Sequence, residues 1–150
     1  MSFNIVLIEP EIPNNTGNIG RLALGTNSTL HLVKPFGFEL SDKRLKRAGL
    51  DYWQHLDVHI YENKEEFFDK FKNAEMVFFT AKASKPYWKI QYKKDMFLVF
   101  GKESVGLPLS LLENDNNQTA KIPLYSQQIR SLNLANAVSI VVYEGLKNLR

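Results

Sequence analysis

Six short apolar runs recur along this chain, and most are followed by turn residues and then by apolar residues at helical spacing. The runs are Asn4–Ile8, Leu30–Val33, Val58–Tyr61, Met76–Thr80, Met96–Phe100 and Ala120–Ile122. They are continuous rather than alternating, which predicts strands buried on both faces. Between them fall predicted helices. One runs from about Asn18 to Gly25, capped by Thr16 or Asn15. Others cover Lys43–Ala48, a stretch from an Asn63 cap through Phe71 or Lys72, Pro108–Leu112, and Leu132–Leu149. Strand–helix–strand units are parallel and right-handed. The expected fold class is therefore α/β, an open, mostly parallel sheet flanked by helices. At 150 residues, with neither an internal repeat nor a linker, residues 1–150 are expected to form one domain.

Composition narrows the chemistry. The chain has no cysteine, which removes disulfides, thiolate metal sites and thiol nucleophiles together. His55 and His59 are four apart but lie around a predicted strand, so no metal site is expected. The apolar start, Phe3 to Ile8, is too short for a signal peptide and is followed by Glu9 and Glu11. No apolar run approaches bilayer length, so no membrane association is expected and a cytoplasmic setting is the default. The net charge of +3 is a mild pointer to a polyanionic partner.

Four stretches carry candidate chemistry. Asn14 to Arg21 follows the first strand, where open α/β sheets bind ligands. It lacks the Gly-Lys-Ser/Thr of a P-loop and the first glycine of a dinucleotide fingerprint. A helix cap with Arg21 on a solvated face is one reading; Arg21 one turn into the helix, over a pocket, is the other. Gly101 to Pro108 is a second turn, with Glu103 between two glycines. It reads either as a tight connection with Gly101 and Gly106 at positive φ or as a ligand loop; no serine–histidine–acid set accompanies it. Ile122-Pro123-Leu124, followed by Ser131 to Ala137, leads into the last helix. Loops of this kind offer unpaired backbone amides beside a small apolar pocket, which suits an adenine-bearing ligand as well as a phosphate. Lys82 to Lys94 interleaves five lysines with three aromatics. That pattern holds single-stranded nucleic acid, and it equally describes a solvated loop anchored by its rings. The basic Lys43–Arg47 stretch adds positive charge.

These blocks together resemble a known family. The stretch from Glu9 to Ile19 with Arg21, the stretch Lys43–Tyr52, Phe100-Gly101 with Glu103 and Gly106-Leu107-Pro108, and Ile122-Pro123 with Ser131 to Ser139 occur in the order found in the SPOUT class of RNA methyltransferases, the α/β-knot proteins. Within that class the chain is most similar to the TrmL (YibK-like) group, small tRNA ribose 2′-O-methyltransferases that modify the wobble nucleotide. The resemblance implies a C-terminal trefoil knot, a homodimer, and S-adenosylmethionine as cofactor with S-adenosylhomocysteine as product and no metal. It implies the tRNA anticodon stem-loop as partner. Carried onto matching positions, the cofactor pocket comprises Phe79, Thr80, Gly101, Glu103, Ile122, Leu124, Ser131, Leu132, Asn133 and Ala137, and Arg21 and Asn133 are the catalytic residues.

The implied reaction transfers methyl from a sulfonium to the ribose 2′-hydroxyl of a wobble cytidine or modified uridine. Arg21 matches the arginine to which a general-base role is often attributed. A guanidinium stays charged in proteins, so the expectation here is electrostatic: Arg21 lowers the hydroxyl pKa and orients the nucleotide through its phosphate. The last helix carries two apolar stripes, one for the sheet and one for a second subunit, with Tyr143 either at that seam, in the active-site wall, or simply packed. Two alternatives stand beside this reading: a 2′-O-methyltransferase acting at another tRNA or rRNA position, and a non-catalytic knot protein that binds RNA.

Overall fold

The computed structural model describes residues 1–40, 52–112 and 117–150. Six strands, β1 (Asn4–Ile8), β2 (Thr29–Val33), β3 (Val58–Tyr61), β4 (Met76–Phe79), β5 (Phe97–Phe100) and β6 (Gln118–Ala120), form one sheet in the order β3-β2-β1-β5-β4-β6. Every neighbouring pair is parallel; Ile5 is in register with Leu30 on one side and Leu98 on the other. Among the described residues four α-helices accompany them: α1 (Pro13–Gly25), α2 (Lys64–Lys70), α3 (Leu109–Leu112) and α4 (Leu134–Leu149). The basic stretch Lys43–Ala48 lies outside the described residues.

The unbroken apolar runs are explained by two cores. Ile5, Leu7 and Leu98 point to the face covered by α1 and α4, where they meet Ile19, Ala23, Val138, Val141 and Val142. Val6, Ile8 and Val99 point to the opposite face, where they meet Phe67 of α2, Phe78 and Leu107. Each fully buried side chain of this size stabilises the fold by about 1.5–3 kcal/mol relative to exposure. On the second face His31 is buried, with Nδ1 2.9 Å from the Tyr61 hydroxyl and Nε2 2.8 Å from Asn4 Oδ1. Burial pushes its pKa down to about 4, so the ring is neutral at pH 7 and belongs to the packing. His59 pairs with Asp57 at 2.9 Å on the exposed edge, and among the described residues no three metal-ligating side chains gather.

Several expected boundaries move. The sixth strand ends at Ala120; Lys121 keeps a lone parallel bridge to Pro86, and Ile122 is already loop. α4 begins at Leu134, two residues later than its apolar pattern, because Asn133 caps it by accepting from Ala135 N at 2.9 Å and Asn136 N at 3.2 Å. α1 starts five residues earlier than predicted, at Pro13, with Ile12 at the cap position and no side-chain cap of its own. Neither Thr16 nor Asn15 caps it. Thr16 is wholly buried inside the helix, and its hydroxyl has no hydrogen-bond partner among the described residues. Gly20 is a contact point: a Cβ there would lie 2.7 Å from the Trp53 ring.

Candidate active site

The carboxyl ends of β4, β5 and β6 open on a cavity of about 1090 Å³. That is the upper end for small-molecule pockets and the usual ligand position in an open α/β sheet. Residues 79–82, 100–107, 121–124 and 129–134 line it, with Ala137 of α4 and Ile12 and Asn15 from the start of α1. The ten residues expected at a cofactor pocket all fall on this wall, although they come from four separate stretches of chain.

Each stretch is held by identifiable interactions. Phe79 is nearly buried, its ring stacked on Phe100 at 4.9 Å, and Thr80 N donates to Ala120 O at 2.9 Å. These contacts fix the strand-end floor. In the 101–107 loop only Gly106 has positive φ, at 73°; the tight-connection reading, which places Gly101 there as well, does not hold for Gly101. Gly101 is required for a different reason. A Cβ there would lie 2.3 Å from Leu107 N and 2.4 Å from Gly106 C, so the loop closes on its own backbone. Ile122 packs against the core and Leu124 is half-buried, giving the cavity an apolar side. Ser131 is exposed and Leu132 half-buried at the entry to α4.

Glu103 links the loops to α1. Its carboxylate accepts from Glu11 N at 2.8 Å, Ile12 N at 3.0 Å and Asn15 Nδ2 at 3.1 Å. Glu11 returns the contact by accepting from Ser104 N at 2.8 Å, and hydrogen bonds from Ser104 hold its pKa below the usual carboxylate range. Asn15 Oδ1 in turn accepts from Asn133 Nδ2 at 3.0 Å. One chain of polar contacts, Glu103–Asn15–Asn133, thus joins α1, the glycine loop and the cap of α4. Within the Asn14–Arg21 stretch the sequence marks Asn15 as a candidate cap; its separations of 88 and 118 residues from these partners leave no local signal of the contacts it makes. Beside this chain Glu9, at φ 53°, holds Lys64 at 2.9 Å and Lys102 at 3.5 Å. A non-glycine residue in that conformation is strained, and such strain gathers at functional sites.

The catalytic assignments fare differently. Asn133 lies on the cavity wall, where its amide oxygen accepts from the first amides of α4 and one of its two side-chain N–H groups donates to Asn15. These contacts position it at the entry to α4. Arg21 does not line the cavity. Because α1 starts at Pro13, Arg21 lies eight residues in, roughly 12 Å along the axis, rather than one turn over the pocket. It is exposed, its guanidinium carbon 5.9 Å from the centre of the Tyr52 ring, whose hydroxyl donates to Gly17 O. Among the described residues the cavity wall holds no histidine, and its only carboxylate, Glu103, is committed to α1. Lys82, Lys121 and Arg130 give the wall positive charge without ion-pair partners among the described residues. The site is therefore built to hold a ligand by backbone and apolar contacts and to attract an anion, and among the described residues its wall offers neither a histidine nor an uncommitted carboxylate as a base.

The model of the SpoU rRNA methylase family matches residues 2–143. The chain belongs to this family. A tRNA (cytidine(34)-2′-O)-methyltransferase of Yersinia pestis is 43% identical, the alignment covering 98% of this chain and 94% of that protein. A solved structure described as giving insight into 2-OH methylation of C/U34 on tRNA superposes with a TM-score of 0.93 at 39% identity, covering 99% of this chain and 96% of the other. An AdoMet-bound rRNA methyltransferase of Sinorhizobium meliloti superposes with a TM-score of 0.89 at 25% identity, covering 99% of this chain and 57% of that one. The parallel sheet flanked by helices is thus the SpoU methylase architecture.

Proposed function

We propose that this SpoU methylase transfers a methyl group from S-adenosylmethionine to the ribose 2′-hydroxyl of the wobble nucleotide of tRNA. The observation that carries the proposal is the single cavity into which Gly101–Leu107, Lys121–Leu124 and the start of α4 converge, in a chain 43% identical to a tRNA (cytidine(34)-2′-O)-methyltransferase. The residues fit the cofactor. A nucleoside needs close backbone approach, which Gly106 gives with nothing within 4 Å of where a Cβ would lie, and apolar flanks, which Leu107, Ile122, Leu124 and Leu132 give. When bound, S-adenosylmethionine supplies a methyl already activated by positive sulfur, so the chain's own task is alignment and proton removal.

Alignment falls to the Glu103–Asn15–Asn133 chain, which fixes the glycine loop, α1 and the cap of α4 relative to one another. With neither a histidine nor an uncommitted carboxylate among the described wall residues, the hydroxyl proton leaves to water or to a phosphate oxygen. Arg21, outside the cavity of its own chain and exposed, acts on RNA laid across α1: its charge orients the nucleotide through a phosphate and favours the ionised hydroxyl. Residues 1–150 serve as one cytoplasmic domain, with the crossings after β5 and β6 threaded as a trefoil knot. Two copies pair through α4, whose Tyr143 is 57% exposed, and the anticodon stem-loop is the partner.

The test is methylation of total tRNA from cells lacking this protein, followed by mapping of the new 2′-O-methyl nucleotide. Methyl at position 34 of specific tRNAs is expected; methyl elsewhere, or none, refutes the assignment. Heat on titration with S-adenosylmethionine separates an enzyme from a protein that only holds RNA.

A further inference from the structure

The segment joining β4 to β5 contains no acidic residue from 80 to 94 and carries five lysines. Its middle is a single 3-10 turn, Tyr87–Lys89, and that turn is pinned. Tyr87 N donates to Lys121 O at 2.8 Å, Lys121 N donates to Lys85 O at 2.9 Å, and the Tyr92 hydroxyl donates to Tyr87 O at 2.7 Å. Ile90 and Tyr92 are buried, so anchoring the segment is their work. Trp88 is not needed for it. Its side chain is 44% exposed, held edge-on to Tyr87 with ring centres 5.3 Å apart. Lys93 is tied to Glu75 at 3.1 Å, but Lys82, Lys85 and Lys89 have no ion-pair partner among the described residues. Lys82 and Lys121 also line the cavity, so the strip is continuous with its rim.

A half-exposed tryptophan on a fixed backbone, flanked by unpaired lysines, is a stacking platform beside phosphate contacts. Only an unpaired base offers its face to such a platform, since bases inside a duplex are already stacked. We infer that this strip is an RNA-contacting surface in which Trp88 stacks on an unpaired base near the nucleotide being methylated, while Lys85 and Lys89 hold the flanking phosphates. The inference rests on the proposed methyl transfer to tRNA and adds to it the surface that selects a single-stranded loop.

Steady-state methylation of tRNA by wild type, Trp88→Ala, Trp88→Phe and the double variant Lys85→Ala/Lys89→Ala tests it. Trp88→Ala is expected to raise KM for tRNA about tenfold, within the roughly 5- to 150-fold range for loss of one base–aromatic stack, leaving kcat and S-adenosylmethionine affinity within about twofold. Trp88→Phe is expected to restore most of the loss. The double lysine variant is expected to lower the salt dependence of binding by a log–log slope of about 1.4, the value for two single-strand phosphate contacts. An unchanged KM for Trp88→Ala in an active enzyme overturns the inference and leaves the proposed function standing. If wild type methylates no tRNA, that reading has failed, and the strip is judged by tryptophan fluorescence instead. Quenching by an RNA stem-loop, absent with the same RNA fully duplexed and absent in Trp88→Phe, supports the surface; equal responses in all three overturn it.

Discussion

Helices α1 and α2 begin in opposite ways. α2 is capped by its own neighbour: Asn63 Oδ1 accepts from Glu66 N at 2.7 Å, three residues on. α1 has no such cap. The amides of Glu11 and Ile12 at its start are satisfied by Glu103, a carboxylate about 90 residues away in sequence. The first arrangement stabilises a helix and nothing else. The second makes the start of a helix part of a cavity wall, so α1 is correctly placed only when the glycine loop is. Coupling of that kind is how a site assembled from distant segments acquires a defined shape.

The sharpest way to break the contrast is Gly101→Ala. The new methyl would meet Leu107 N and Gly106 C at 2.3 and 2.4 Å, and backbone cannot give way as a flexible side chain can. The loop must shift and carry Glu103 with it. Loss of measurable S-adenosylmethionine binding by calorimetry, and of methylation, is expected. Glu103→Gln is the next test. It keeps the size but removes the charge that accepts from two backbone amides. A loss of about 1–3 kcal/mol in stability is expected from chemical denaturation, together with weaker cofactor binding. Asn63→Ala provides the control from the locally capped helix. It should cost about 1 kcal/mol of stability and leave cofactor affinity and kcat unchanged. If it impaired catalysis as Glu103→Gln does, the distinction between the two helix starts would fail.

The smallest effect is a pH dependence. Hydrogen bonds from the Ser104 side chain and backbone hold the Glu11 pKa below its ordinary value of 4.5. A depressed carboxylate pKa means that its contribution is complete above the ordinary value and is lost as pH falls through the folded one. S-adenosylmethionine affinity should therefore decline on acidification only below about pH 4.5, and Glu11→Gln should lack that component. An equal decline in the variant would show that the Glu11–Ser104 contact does not couple α1 to the loop.

Local signals made much of the architecture legible. β1 from Asn4 to Ile8 has the expected bounds, and so does β3 from Val58 to Tyr61. Asn63 caps α2 as its position before a charged, phenylalanine-bearing stretch implied. In each case the deciding interaction spans only a few residues, or depends on side-chain period alone. The bounds of α1 differ from those its sequence predicts because Asn15 and Thr16 are good caps in isolation, whereas the tertiary fold satisfies Glu11 and Ile12 from Glu103 and lets the helix begin at Pro13. The same displacement moved Arg21 away from the cavity mouth. Gly101 carried a visible signal, but the reason for it, closure of the loop on Leu107, required the folded chain.

By itself the sequence determined a parallel α/β sheet, the two glycine- and proline-marked loops, and the residue types that line the cavity. Those follow from backbone preference and from the period at which apolar residues recur, both of which act over a few neighbours. Only the tertiary structure decided that Asn15, Glu103 and Asn133 touch, that Arg21 stands outside the cavity, and that the lysine–tryptophan strip begins at its rim. Contacts across 88 and 118 residues depend on how the strands are ordered in the sheet, and nothing local encodes that order.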